Sequence, residues 1–407
     1  MSPEQTHIGN EILPLQGVRV IEFGQFIAAP AAAQVLADLG ADVIKIEPPG
    51  GDAARRAGWT GDDCGPMFSA YNRRKRSVVL DLRQPEGLRA AQTLIVSADV
   101  VLQNSRPGAM ERFGLGAAAL REMKPQLVVG SVSGFGSTGD GSTRPGFDIA
   151  AQAESGMMSL NGEADGDPLR VGFAVVDIMA AHALTSGIMA ALLRRFISGV
   201  GGTVDVSLID VAIEAMAYPW AEYALTGKVP VRTGNGQPTL APAADVVKTA
   251  DGQIVVSAYM DEHFVRLCDA IQRPDLPTDP RFSTSAERVA NRPALIEALS
   301  TALNAMTTAA ACECLTKAGV VVGAIFGFDQ VPARLDASAG RLFDSVQRPG
   351  GGALRLPGVP WLIDGSRIGG GALPALGQHT AEVLQEVGCA GILSPLPSHH
   401  SVGPAPN

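Results

Sequence analysis

From Val18 to Val132 the chain alternates short apolar runs with stretches of helical period, and this alternation limits the possible folds most sharply. The runs Val18–Phe23, Asp42–Glu47, Val78–Leu82, Asp99–Leu102 and Leu127–Val132 read as strands. Helices are expected at Pro30–Leu39 and from Pro85 to Val96, with helical turns up to Met123. Strands separated by helices cannot pair as hairpins, so they form a parallel sheet with helices on both faces. The expected fold class is therefore α/β, a doubly wound, Rossmann-like parallel sheet, with binding at the carboxyl ends of its strands. The turn after the first strand, FGQFIAAPAAAQ, has one glycine and no G-x-G-x-x-G, which argues against a nicotinamide dinucleotide site.

At 407 residues the chain has room for more than one domain. A large domain is expected over residues 1–216, a Gly- and Pro-rich linker over 217–240 and a smaller α+β domain over 241–330. Residues 331–407 are expected to return to the large domain and to carry a helix at His379–Val387. A strand at Val204–Leu208 and one continuous helix from Ile209 to Leu225 are expected just before the linker. The net charge of −9 gives no general attraction to nucleic acid or an anionic membrane. The most apolar window, Val171–Leu193, includes Asp177 and His182 and reads as a buried core helix, not a membrane span. MSPEQTHIGNEILPLQG has no apolar h-region. Five scattered cysteines fit a reducing cytoplasm, and neither they nor the six histidines have metal-ligand spacing. No nucleophile elbow, H-E-x-x-H or phosphate-binding P-loop occurs.

Candidate chemistry centres on Asp177, which follows VGFAVV and precedes an Ala/Met/Leu-rich helix, Ile178–Phe196. It reads as the helix N-cap, where backbone N–H groups and the helix dipole would hold the carboxylate ionised. That geometry suits a structural cap and equally presents an anionic oxygen as a nucleophile. Asn72-Arg73-Arg74-Lys75-Arg76, with Arg83, is the dense basic cluster, a candidate phosphate site or else a solvated face with ion pairs. Asn104 and Arg112 follow a strand end, as does the loop Ser131–Gly136. Gly234-Asn235-Gly236 reads as a turn or a mobile lid.

Several stretches, taken in order, resemble the class III coenzyme A-transferases of the CaiB/BaiF type, a family that includes formyl-CoA transferase and α-methylacyl-CoA racemases. They are FIAAPAAAQVLADLGADVIKIEPPGGDAAR, NRRKRSVVLDLRQPEG, ADVVLQNSRPGAMERFGLG, SGFGSTGDG, FDIAAQAESG, GNGQP, DPRF and LGQHTAEVLQEVG. The resemblance implies a CoA-transferase that moves CoA from an acyl-CoA to a free carboxylic acid through covalent aspartyl intermediates on Asp177. Coenzyme A is then a substrate, and no tightly bound cofactor or metal is implied. Ile27 and Ala28 match the loop near the thioester; Arg83, Asn104 and Arg112 match positions that hold CoA. Ile27 replaces a glutamine and Pro48 an arginine found in some relatives. Phe147 and Asp148 match an aromatic–acid pair beside the active site. The racemase branch has a histidine at the position of Phe147, and phenylalanine cannot exchange a proton, so transferase is favoured over 2-methylacyl-CoA racemase. A non-catalytic CoA-binding relative is the other alternative. The family also implies an interlocked homodimer.

Overall fold

The computed structural model describes residues 13–237, 242–333 and 342–390, together with Ala241. The N-terminal stretch, Pro238 of GNGQP and the His399-His400 pair lie outside the described residues. The chain divides into two compact units. One contains residues 13–155, 173–215 and 342–390, and the other 156–172, 216–237 and 241–333.

The first unit opens with β1 (Arg19–Glu22), α1 (Ala28–Asp38) and β2 (Asp42–Glu47). Next come α2 (Pro66–Tyr71), β3 (Arg76–Val79), α3 (Pro85–Ser97) and β4 (Val100–Gln103). α4 (Ala117–Met123), β5 (Val128–Ser133) and α5 (Asp148–Glu154) follow. The short helix α6 (Met157–Leu160) belongs to the second unit, after which α7 (Val175–Ser198), β6 (Gly202–Ser207) and α8 (Leu208–Glu214) return to the first. The six strands form one parallel sheet in the order β3-β2-β1-β4-β5-β6. Ile21, Ile44, Val78, Val101 and Val129 pack with Ala91, Leu94 and Ile95 of α3, Leu120 of α4 and Val383 and Leu384 of the final helix, Thr380–Glu386.

α7 packs against β5 and β6, and two glycines set how closely it approaches. A Cβ on Gly130 would lie 2.7 Å from Leu102 Cδ2 and 3.1 Å from both Leu184 and Ile188 of α7. One on Gly187 would lie 2.5 Å from Val204 Cγ1. Because α7 connects two parallel strands, it runs against them, and its N-terminus opens at their carboxyl ends.

The basic cluster is structural, which corrects the phosphate reading. Arg73 pairs with buried Asp38 at 2.6 Å and donates to Pro357 O. Arg74 donates to the carbonyls of Gly369 and Gly370, so the two arginines fasten the C-terminal segment to the sheet. Arg76 pairs with Asp42, Glu382 and Glu386. Lys75 is buried, with Nζ 2.8 Å from Glu22 and 2.8 Å from Pro30 O. Burial pulls its pKa down to about 8, against the attraction of Glu22. None of these cations is free for a phosphate.

Glu22 also meets Lys45, whose Nζ lies 3.1 Å from Glu22, 2.9 Å from Asp52 and 2.7 Å from Gly24 O. Burial opposes the lysine's charge, but three surrounding carboxylates outweigh it and its pKa is raised. Removing one member of a buried ionic cluster strands the others. Lys45→Met is expected to destabilise the fold by about 3–5 kcal/mol, measured as a lower urea midpoint with unchanged slope.

In the second unit, β7 (Asp245–Lys248), β8 (Gln253–Ser257) and β9 (Val321–Ala324) make an antiparallel sheet. Phe264, Leu267, Phe282, Leu295, Leu299, Leu303 and Leu315 form its core. Residues 156–172 join this unit, held by Gly234 N–H to Gly162 O and by Arg232 on the carbonyls of Glu163 and Gly166. The helix expected over Ile209–Leu225 is two helices, α8 and α9 (Ala217–Thr226). Pro219, the third residue of α9, has no N–H to donate to Ala215 and its ring crowds that carbonyl, so the helix breaks just before α9. α9 also occupies the start of the segment expected to be a linker.

Candidate active site

In a sheet of this order the chain turns back between β1 and β4, and the crevice outside their carboxyl ends is where such sheets bind ligands. The two loops there are stitched together. Gln25 N–H donates to Asn104 Oδ1 at 2.8 Å, and Asn104 Nδ2 donates to Gln25 O at 2.8 Å. Phe26 has φ of 61°, a left-handed conformation costly for a residue with a Cβ. Asp52 Oδ1 holds it by accepting the Phe26 N–H at 3.3 Å. This turn delivers Ile27 and Ala28 to the start of α1, where the first amides have no acceptor within the helix.

The crevice is a cavity of about 380 Å³ lined by Ile27, Ala28, Asn104, Arg112, Phe147 and Asp177, and also by Arg106 and Arg144. Gln25, Ser105 and Ala109 are shared with an adjoining cavity of about 440 Å³ lined by Phe23, Pro48, Leu80, Met110 and Phe113. Six of the expected site residues thus meet in one place. Arg106 and Arg144 carried no individual signal in the sequence, since neither belongs to a charge cluster.

Asp177 is not the N-cap of its helix. The cap position is Ala174, which makes no side-chain cap, and Asp177 is the third residue of α7. Buried Asp148 caps the helix from α5, accepting the N–H of Val176 at 2.7 Å and that of Asp177 at 3.3 Å. Asp148 does not line the cavity; it supports the helix that presents Asp177. The expectation that Asp177 is held ionised is therefore corrected. Burial, and then the neighbouring charge of Asp148, push its carboxyl up to about 7 from an ordinary 3.8. At neutral pH the group is split between acid and carboxylate.

Phe147 is 59% exposed and meets Phe26 edge to face, with ring centroids 6.0 Å apart. His182 is exposed on α7 and does not line the cavity. Arg83 lines the adjoining cavity, paired with Asp81 at 2.8 Å. Gly234–Gly236 lies in the second unit, in a turn closed by Gly236 N–H to Thr233 O.

The fold and crevice define a doubly wound α/β protein with a partly buried carboxylate of raised pKa at its switch-point cavity. The family model described as CoA-transferase family III matches residues 15–380. A succinate–glutarate CoA-transferase of Agrobacterium fabrum is 35% identical over 94% of this chain and 98% of its own length. A succinyl-CoA:mesaconate CoA-transferase of Haloarcula hispanica is 36% identical over 92% of this chain and 96% of its own. The crystal structure of a CAIB/BAIF family protein from Brucella suis superposes with a TM-score of 0.81 at 30% identity, covering 93% of this chain and all of that one. The chain belongs to CoA-transferase family III. It is a class III CoA-transferase, an enzyme whose substrates are CoA thioesters and carboxylic acids.

Proposed function

We propose that the enzyme moves CoA from an acyl-CoA to a small dicarboxylic acid, with Asp177 as the covalent carrier. The observation that carries this reading is the placement of Asp177 in the switch-point cavity beside the unpaired first amides of α1. In its ionised form, a carboxylate oxygen of Asp177 attacks the thioester carbonyl. The C–S bond breaks, leaving an acyl–Asp177 anhydride and a CoA thiolate. The thiolate attacks the aspartyl carbonyl, the donor acid leaves as a carboxylate, and CoA is now a thioester of Asp177. The acceptor carboxylate attacks that thioester, releasing the thiolate and forming a second anhydride. Attack of the thiolate on the acceptor's carbonyl gives the new acyl-CoA and returns Asp177 as a carboxylate. No net proton transfer is required, and one hard exchange becomes several acyl transfers. The N–H groups of Ile27 and Ala28 stabilise the oxyanion of each tetrahedral intermediate.

Arg106, Arg112 and Asn104 hold the CoA chain near its phosphates, with the adjoining apolar cavity and Arg83 at the nucleotide end. The names of the relatives, which pair succinate with glutarate or mesaconate, support a dicarboxylic acceptor. The implied homodimer, interlocked as the resemblance suggests, is part of this proposal; Leu193, Phe196 and Ile197 on the exposed side of α7 support it as an apolar surface to be covered. The test is to mix the enzyme with succinyl-CoA and no acceptor, then add hydroxylamine. Intact-mass and peptide analysis is expected to find a hydroxamate at Asp177. Transfer that proceeds with no adduct at any time would replace the covalent route with direct exchange.

A further inference from the structure

The cations of the main cavity fall into two kinds. Arg106 and Arg112 come from the loop after β4, and neither has a carboxylate partner among the described residues. They adjoin Ser105 and Ala109, which continue into the second cavity, and so follow the path of the CoA chain. Arg144 comes from the loop after β5, three residues before Phe147. Its guanidinium lies 4.2 Å over the ring of Phe135 and is held by Glu154 through a fork of two bonds, 3.0 and 2.5 Å. Both partners of that pair are about half exposed, at 49% and 45%.

A dicarboxylic acid presents one carboxylate to react and a second that does not. The second still requires a charged partner once it leaves water, and a planar guanidinium supplies the bidentate one. Glu154 occupies one edge of Arg144, leaving N–H donors over, and an exposed pair of this sort is easily rearranged. The stack on Phe135 fixes the plane of the fork while its partner changes.

Resting on the dicarboxylic reading above, we propose that Arg144 receives the distal carboxylate of the acceptor acid, in competition with Glu154, and so sets the preference for dicarboxylic over monocarboxylic acids. Arg144 is a specificity residue in this scheme and takes no part in bond making.

The test supplies succinyl-CoA together with labelled glutarate and labelled butyrate in one reaction and reads the ratio of the two CoA products. Both acids draw on the same enzyme-bound CoA, so damage to the donor step cancels from the ratio. Wild type is expected to favour glutarate. Arg144→Gln is expected to lower the ratio about 10–100-fold, with Arg144→Lys falling between. Glu154→Gln is expected to raise the ratio, because it frees the guanidinium. A purely structural role for the pair would instead move both variants the same way. An unchanged ratio in Arg144→Gln, or a fall in both variants, overturns the assignment while leaving the carboxylic acid transfer intact. A wild-type preference for butyrate overturns the dicarboxylic reading on which the assignment rests.

Discussion

Replacing Asp177 with Ala or Asn is expected to lower CoA transfer by about 10³-fold or more, roughly 4 kcal/mol of transition-state stabilisation. Acyl-CoA binding, measured by calorimetry or fluorescence, is expected to stay close to wild type. In the proposed arrangement CoA is held by Arg106, Arg112 and the adjoining cavity, side chains other than this carboxylate. A nucleophile makes its decisive bond only along the reaction path, so its loss appears in kcat. Turnover surviving in both variants would remove Asp177 from the chemistry.

The same substitutions have a second, opposite consequence. Asp177 is pushed up to about 7 by burial and by Asp148. Below pH ~4 folded and unfolded chains both hold the proton, and the group has no effect on stability. As pH rises from there towards 7 the unfolded chain loses its proton first, so stability falls. Above pH ~7 the native state bears the whole cost of a buried, repelled charge, at most about 4 kcal/mol. Asp177→Asn keeps the shape without the charge. It is expected to be more stable than wild type at pH ~8 and to match it near pH ~4, read from urea midpoints at the two pH values. An inactive variant that is also more stable would mark a site whose function is held against the fold.

The sheet was legible because a parallel strand buried on both faces shows as an apolar run, whatever lies beyond it. Asp42–Glu47 is a strand over the range its residues predict, and the boundaries of β4 and β5 shift by a single residue. Charge was less legible. Arg73, Lys75 and Arg76 look like a free basic patch because their partners, Asp38, Glu22, Asp42 and Glu386, lie from tens to hundreds of residues away. The ionisation of Asp177 is hidden from the sequence in the same way, because burial and then Asp148 act on it only through the fold. A carboxylate at a helix start reads as a cap, yet Asp148, 29 residues upstream, had already taken the amides. The candidate cavity divided along similar lines. Asn104, Arg112 and Phe147 stood out by motif, whereas Arg144 gains meaning only from Phe135, Glu154 and the space it faces.

Asp148 gives the largest expected pH effect. Its carboxylate does two things to Asp177: it fixes the helix N-terminus that carries it, and it repels its charge. Asp148→Asn separates the two, because the amide oxygen can still accept the Val176 N–H while the charge is gone. If Asp177 is the nucleophile, as proposed, wild-type kcat/KM for acyl-CoA is expected to climb with pH through a midpoint near 7, as its ionised form appears. In Asp148→Asn the midpoint moves to lower pH. It stays above the ordinary carboxylate range, because burial, the larger of the two causes, remains. At pH ~6 the variant then has more of its Asp177 ionised than wild type, and the ratio of variant to wild-type activity rises as the pH falls. If Asp148 served the helix alone, the whole curve would drop in height with its midpoint unmoved. A midpoint shifted upwards would reverse the sign of the interaction and disprove the repulsion.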